Sequence, residues 1–317
     1  MVKVVMMHAS PERLTWLRES YPQANLVAPA SRAACLPELA DADVIFGAVT
    51  NDEFLAAKNV KWIQAASAGV EFMWRIPSIV EHRVVVTNAR GAHAATIAEH
   101  TFALLLALTR QIVPHHQYQQ KHQWGRGDFA GKVTGLKGLT IGVVGFGNIG
   151  RAIGRRALGF EMNVLAVDAQ PVPAIEGVTE VWSLERLNDL CRQADVLAIA
   201  APITPQTRGM IGAEQIKLMT PGSFLVAVSR GGIVDEGALI DALTSGHLAG
   251  AGLDVTATEP LPADSPLWDA PNILITPHDS GASKLTTELM WSIFHENLGR
   301  YLRGEPLTNL VDKTLGY

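Results

Sequence analysis

Residues 139–150 read LTIGVVGFGNIG, an apolar β-branched strand that runs straight into G-x-G-x-x-G and then into the helix-forming stretch 151–158. Few local patterns restrict a fold more. Gly145 permits the tight turn, Gly147 lets the backbone approach a pyrophosphate, and Gly150 lets helix and strand pack closely. The residues between them, Phe146, Asn148 and Ile149, lie in the turn and at the helix N-terminus, where free N–H groups and the helix dipole favour an anion. Glycine turns are common, so the motif alone is weak, but here its context is present. A second strand, 163–167, follows the helix and ends on Asp168. A carboxylate there accepts from a ribose 2′-hydroxyl and repels a 2′-phosphate, which selects NAD over NADP.

The rest of the chain repeats the same grammar. Short apolar runs at 2–6, 44–46, 62–63, 84–86, 140–144, 163–167, 196–199, 224–228, 251–255 and 273–275 alternate with helical patterns. Near-continuous β-branched runs suit parallel strands buried on both faces. The expected fold class is α/β, with two doubly wound parallel-sheet domains. The second, a Rossmann NAD-binding domain, is inserted in the first. A long helix that starts near Ala92 is apolar on nearly every side from Ala94 to Ile112, so it is buried inside a domain or against a partner subunit. A polar, Gly-rich stretch follows, and the chain ends in one more helical run over 283–302. The expected boundaries are 1–94 with 286–317 for a discontinuous substrate-binding (catalytic) domain, and 95–285 for the NAD-binding domain.

Composition excludes several classes. The 317 residues are 48% apolar and 18% charged, with a net charge of -5 and no basic block. That disfavours nucleic acid as a partner. The two cysteines, Cys35 and Cys191, sit far apart in apolar, helix-like surroundings, as free thiols do in a reducing compartment. The first seven residues read as a strand rather than a signal peptide. The longest apolar run, 102–108, falls far below membrane-spanning length. The expectation is a cytoplasmic protein with no membrane partner.

Three later segments carry chemical groups at strand ends. VSRGGIVD places Arg230 before a Gly-Gly turn, GLDVTATEPLP carries Asp254 and Glu259 into a loop, and ITPHDSG ends a strand on His278. In open α/β sheets ligands bind outside the carboxyl ends of strands. Oxidation of a hydroxyl by hydride loss needs a base and the reverse needs an acid, and His serves both near neutral pH. A carboxylate against the far ring nitrogen orients the imidazole and stabilises its charged form. A guanidinium clamps a carboxylate in planar, two-toothed geometry and polarises the adjacent carbonyl. Taken singly, Arg230 reads as a salt-bridge residue, Glu259 as a solvated loop charge and His278 as a turn histidine. Taken together behind a dinucleotide turn, they read as a catalytic set. The remaining histidines, among them His93, His100, His115, His116 and His122, find no carboxylate or cysteine at ligand spacing, so no metal is expected.

These motifs, in this order, resemble the D-isomer-specific 2-hydroxyacid dehydrogenases over nearly the whole chain. SAGVE at 67–71 is similar to that family's substrate-carboxylate loop, and the VTN at 86–88 with AEH at 98–100 to its interdomain crossing. The resemblance implies that Arg230 binds the substrate carboxylate and carbonyl. It also implies that Glu259 pairs with the acid/base His278 and that Asp254 contacts the nicotinamide carboxamide. The N–H groups of Gly69 and Val70 would hold the substrate carboxylate, with Ala68 lining that loop. It further implies a homodimer joined through the helix from Ala94 to Ile112. The chain departs from the pattern at Asp279, where an apolar residue usually follows the His; a carboxylate there can tune His278, meet a polar substrate or point away into solvent, and the last is expected. The implied activity is NAD-dependent interconversion of a small 2-keto acid and its D-2-hydroxy acid. A formate- or phosphite-type dehydrogenase and a non-catalytic NAD-sensing protein are the alternatives on the same scaffold. Loop 47–53 carries no basic residue, which disfavours a phosphorylated substrate unless Arg75 reaches in from elsewhere, and leaves glyoxylate, hydroxypyruvate or a bulkier keto acid.

Overall fold

A computed structural model describes residues 1–314; the last three residues of the expected return segment lie outside it. The chain divides into two compact units, one of Met1–His93 with the residues from Ser283 onward, the other Ala94–Ala282.

The first unit alternates β1 (Val2–Met6), α1 (Pro11–Ser20), β2 (Ala24–Val27), α2 (Arg32–Leu39), β3 (Val44–Phe46), α3 (Asn51–Ala56), β4 (Trp62–Gln64), α4 (Pro77–Glu81) and β5 (Val85–Thr87). The second runs α5 (Ala94–Thr109), α6 (Ile112–Gln120), β6 (Thr140–Val144), α7 (Asn148–Gly159), β7 (Asn163–Asp168), β8 (Trp182–Ser183), α8 (Leu187–Gln193), β9 (Val196–Ile199), α9 (Ala213–Leu218), β10 (Ser223–Ala227), α10 (Glu236–Thr244), β11 (Leu248–Leu253) and β12 (Ile273–Ile275). Helix α11 (Lys284–Arg303) returns to the first unit.

Both sheets are parallel, in the orders β2-β1-β3-β4-β5 and β12-β11-β10-β9-β6-β7-β8. In the larger sheet the order reverses at β6, where β7 lies on one side and β9 on the other, so the glycine turn after β6 opens at the topological switch point. Each sheet is covered on both faces. Val144, Leu197, Ile199 and Leu225 point into one core of the second unit, and Ile141, Val143, Ala198 and Val226 into the other. In the first unit Val5, Ile45 and Ile63 face one core while Val4, Val44, Phe46 and Trp62 face the second, which Trp291, Phe294 and Leu298 of α11 complete.

The expected helix from Ala94 to Ile112 is two helices. It stops at Thr109, Gln111 adopts a left-handed φ of 53°, and α6 starts afresh at Ile112. Much of the apolar surface of α5 is used within its own unit: Ile97, Phe102, Leu104, Leu105 and Leu108 are buried, with Leu104 and Leu108 against Gly252 and Gly250 of β11. Strands β2 and β8 were not expected from the sequence. Cys35 and Cys191 are buried free thiols, and burial pushes the Cys191 thiol up to about 11. Among the described residues no helix is long and apolar enough to cross a membrane.

Candidate active site

The glycine turn is built by close backbone approach. Gly145 has φ +89°, and a Cβ added there would lie 2.6 Å from Ala201 backbone atoms. A Cβ at Gly150 would overlap the Gly145 carbonyl oxygen, so only glycine lets α7 start this close to β6. At Gly147 an added Cβ would meet nothing within 4 Å. Gly147 also caps α7, and among the described residues no side chain bonds the helix's first amides. The amides of Asn148, Ile149 and Gly150 are therefore the ones an anion can use. Asp168 closes the turn from β7: its Oδ2 accepts from the Phe146 amide at 2.7 Å and its Oδ1 from the Gln170 amide at 2.9 Å. An open position at the middle glycine, an unsatisfied helix start and a strand-end carboxylate fit a dinucleotide.

The catalytic candidates stand at the carboxyl ends of neighbouring strands of the same sheet. Arg230 follows β10, Asp254 and Glu259 follow β11, and His278 follows β12. His278 Nδ1 lies 2.7 Å from Glu259 Oε2, with both side chains partly exposed. The other carboxylate oxygen, Oε1, accepts from the Thr256 amide at 3.1 Å, which fixes the rotation of the carboxyl group. The loop itself is held by the Ala257 amide donating to Glu236 at 2.6 Å and the Thr256 hydroxyl donating to the Thr258 carbonyl at 2.9 Å. Arg230 Nη1 donates to its neighbour's carbonyl, Ser229, at 2.7 Å. Gly231 presses on the Glu259 loop so closely that a Cβ would overlap the Thr256 carbonyl. A pair this exposed contributes little stability; its value lies in aiming the ring.

Asp254 is 1% exposed and accepts three hydrogen bonds: from the Thr276 hydroxyl at 2.6 Å, the Asp279 amide at 3.1 Å and the Ser280 amide at 3.0 Å. Asp279 is exposed, yet one of its carboxylate oxygens lies within 4.8 Å of a His100 ring nitrogen and of an Asp254 oxygen. Sequence spacing did not bring His100 into this cluster. Three of the roughly four lone-pair sites of the Asp254 carboxylate already accept hydroxyl and amide protons.

In the first unit, Ala68, Gly69 and Val70 follow β4, also at a strand's carboxyl end. Internal bonds fix that loop: the Ser67 hydroxyl donates to the Gly69 carbonyl at 2.6 Å, Asn88 to the Ala68 carbonyl at 2.7 Å, and the Ala89 amide to the Ser67 carbonyl at 2.9 Å. Loop 47–53 receives a charge its own sequence lacks. Arg32 of α2 donates to the Ala48 carbonyl and to both oxygens of Glu53, at 2.7 and 2.6 Å. Burial alone would raise the Glu53 carboxyl; the Arg32 guanidinium and the Thr50 amide outweigh it and hold it below the ordinary range.

Residues 102–280, more than half of the chain, match the family model described as "D-isomer specific 2-hydroxyacid dehydrogenase, NAD binding domain". The chain belongs to the D-isomer specific 2-hydroxyacid dehydrogenases. The D-3-phosphoglycerate dehydrogenase of Methanocaldococcus jannaschii is 32% identical over 98% of this chain, which spans only 60% of that relative's length. The glyoxylate reductase of Korarchaeum cryptofilum is 34% identical over 90% of this chain and 87% of its own. The crystal structure of a D-isomer specific 2-hydroxyacid dehydrogenase family protein from Aeromonas salmonicida superposes with a TM-score of 0.85, at 28% identity, over 98% of this chain and 99% of its own. As a member of this family the chain has an NAD-binding domain, which the open glycine turn between β6 and α7 fits.

Proposed function

We propose that this chain is an NAD-dependent oxidoreductase that interconverts a small 2-keto acid and the matching D-2-hydroxy acid. The observation that carries the reading is the 2.7 Å His278–Glu259 pair at the sheet edge where the glycine turn opens. When bound, the cofactor supplies or takes the hydride at C2. His278 has Nδ1 held by Glu259, so Nε2 gives a proton to the C2 oxygen in reduction and takes it in oxidation. Arg230 binds the substrate carboxylate and polarises the carbonyl. The amides of Gly69 and Val70 hold the carboxylate, and Ala68 lines their loop. A carboxylate offers about four lone-pair sites; the one Asp254 has left takes the nicotinamide carboxamide. The test is NADH oxidation by the purified chain across a panel of 2-keto acids, beginning with glyoxylate and hydroxypyruvate. NADH binding without turnover of any of them would overturn this reading in favour of a formate- or phosphite-type dehydrogenase or an NAD-sensing protein.

The small-acid reading is favoured by the Arg32–Glu53 pair, whose opposite charges cancel beside loop 47–53 and leave little net attraction for a phosphate. Asp168 favours NAD. With no arginine among the four residues after it, kcat/KM should be higher with NADH than with NADPH, and a better rate with NADPH would overturn this assignment.

Arg230→Lys should lower kcat/KM roughly ten- to a hundredfold while leaving the melting temperature unchanged. Lysine keeps the charge but loses the two-toothed geometry, and a hydrogen bond to a charged group contributes about 1.5–3 kcal/mol. Wild-type kcat/KM for the best keto acid would remove Arg230 from the site.

A homodimer completes the reading. Around α5 and α6 the second unit leaves Ile112, Val113, Trp124 and Phe160 exposed, apolar surface that a second copy would cover. Light scattering after size exclusion should give twice the chain mass, and a stable monomer at micromolar concentration would contradict it. The buried free thiols agree with a reducing cytoplasm.

A further inference from the structure

We propose that His100 is a positioning residue for His278, acting through Thr276 and Asp254. The proposal rests on the reading of His278 as the acid/base.

His278 has φ +56°, a left-handed conformation that a non-glycine residue keeps only where its surroundings hold it. The holding group is Asp254. The two amides immediately after His278, those of Asp279 and Ser280, donate to its two oxygens at 3.1 and 3.0 Å. Two residues before His278, the Thr276 hydroxyl donates to the same carboxylate at 2.6 Å. Asp254 therefore grips the turn on both sides of the histidine. With its carboxylate buried, solvent cannot easily replace a lost partner.

A threonine hydroxyl has one hydrogen, and here it goes to Asp254. The 2.8 Å contact between His100 Nε2 and Thr276 Oγ1 must then have the ring N–H as donor. This bond sets the hydroxyl's rotation, and it places the ring nitrogen 3.7 Å from Asp254 Oδ1. His100 belongs to α5, which is anchored by buried Ile97, Phe102 and Leu104. The path from core helix to catalytic turn is thus His100, Thr276, Asp254, then the amides of Asp279 and Ser280.

His100→Met fills the space without a donor, whereas His100→Gln returns an N–H near the Nε2 position. The readouts are kcat and KM for the best keto acid and NADH, the melting temperature, and amide hydrogen exchange of segment 276–282 by mass spectrometry. In His100→Met, kcat should fall and exchange in this segment should speed up, each by about tenfold, the order of one net hydrogen bond. KM for the keto acid, whose carboxylate is held by groups outside this path, should stay within about twofold. His100→Gln should recover most of both losses. Thr276→Val should reproduce them, and the double variant should be no worse than either single one, because both cut the same path. Unchanged exchange and kcat in His100→Met, or equal behaviour of the Met and Gln variants, overturns the proposal. If the wild type turns over no keto acid, the exchange arm still decides the positioning role, and it is the catalytic reading that falls.

Discussion

His278→Ala is expected to lower kcat/KM for keto acid reduction by about 10²–10⁴-fold, the usual contribution of a positioned general acid. The side chain is partly exposed, so its removal opens no buried cavity and the melting temperature should stay within a degree or two. NADH should still bind, because the glycine turn and Asp168 are untouched. Glu259→Gln should fall between wild type and His278→Ala. Glu259 uses two acceptor oxygens, one on the Thr256 amide and one on His278. Gln can keep the Thr256 amide on its one oxygen, but its NH2 then meets Nδ1 only as a donor, which shifts the ring proton to Nε2 and disfavours the protonated ring. Steady-state rates of the three proteins at fixed pH, with NADH binding followed by fluorescence, check this. A wild-type rate in His278→Ala would remove it as the acid.

Gly231→Ala should damage both stability and rate, although it removes no functional group. The added carbon would overlap the Thr256 carbonyl, so the chain end of β10 and the Glu259 loop must move apart. Overpacking of this kind costs about 1–3 kcal/mol. Arg230 and Glu259 sit on the two segments being separated, and a displacement of about 1 Å can lower a rate on the order of 10²-fold. A lower melting temperature together with a reduced kcat/KM is the expected pair. Wild-type values of both would mean that the loop can yield without disturbing either side chain.

Much of the fold could be read from local pattern, because strands buried on both faces leave unbroken apolar runs. Val143, Val144, Leu197, Ala198 and Val226 are nearly or wholly buried, and their runs in β6, β9 and β10 stood out. Strand β2 was missed because only alternate residues of its four are buried, and β8 because it has two residues. The break between α5 and α6 was missed because Thr109, Arg110 and Gln111 are all residues that a continuing helix accepts. It depends on a left-handed Gln111, a residue with no strong signal for that conformation. The glycine turn and the strand-end Arg230, Glu259 and His278 were legible because each carries its own context. His100 was not, since its partners Thr276 and Asp254 lie more than a hundred residues away. Arg32 was missed although its partners Ala48 and Glu53 are only 16 and 21 residues away, because the contacts join separate elements, α2 to the loop before α3 and to α3 itself.

The insertion of one unit within the other also orders events at the ribosome. Residues 94–282 are made between the two pieces of the first unit, and at about 5–20 residues per second that takes roughly 10–40 s. Throughout that interval the nascent sheet has Val4, Val44, Phe46 and Trp62 on one face without Trp291, Phe294 and Leu298, the side chains that later cover them. The inserted unit contains its whole sheet in one continuous stretch and can close as soon as β12 emerges. The half made first is thus the half finished last, and its uncovered aromatic face is the natural place for a chaperone to hold the growing chain.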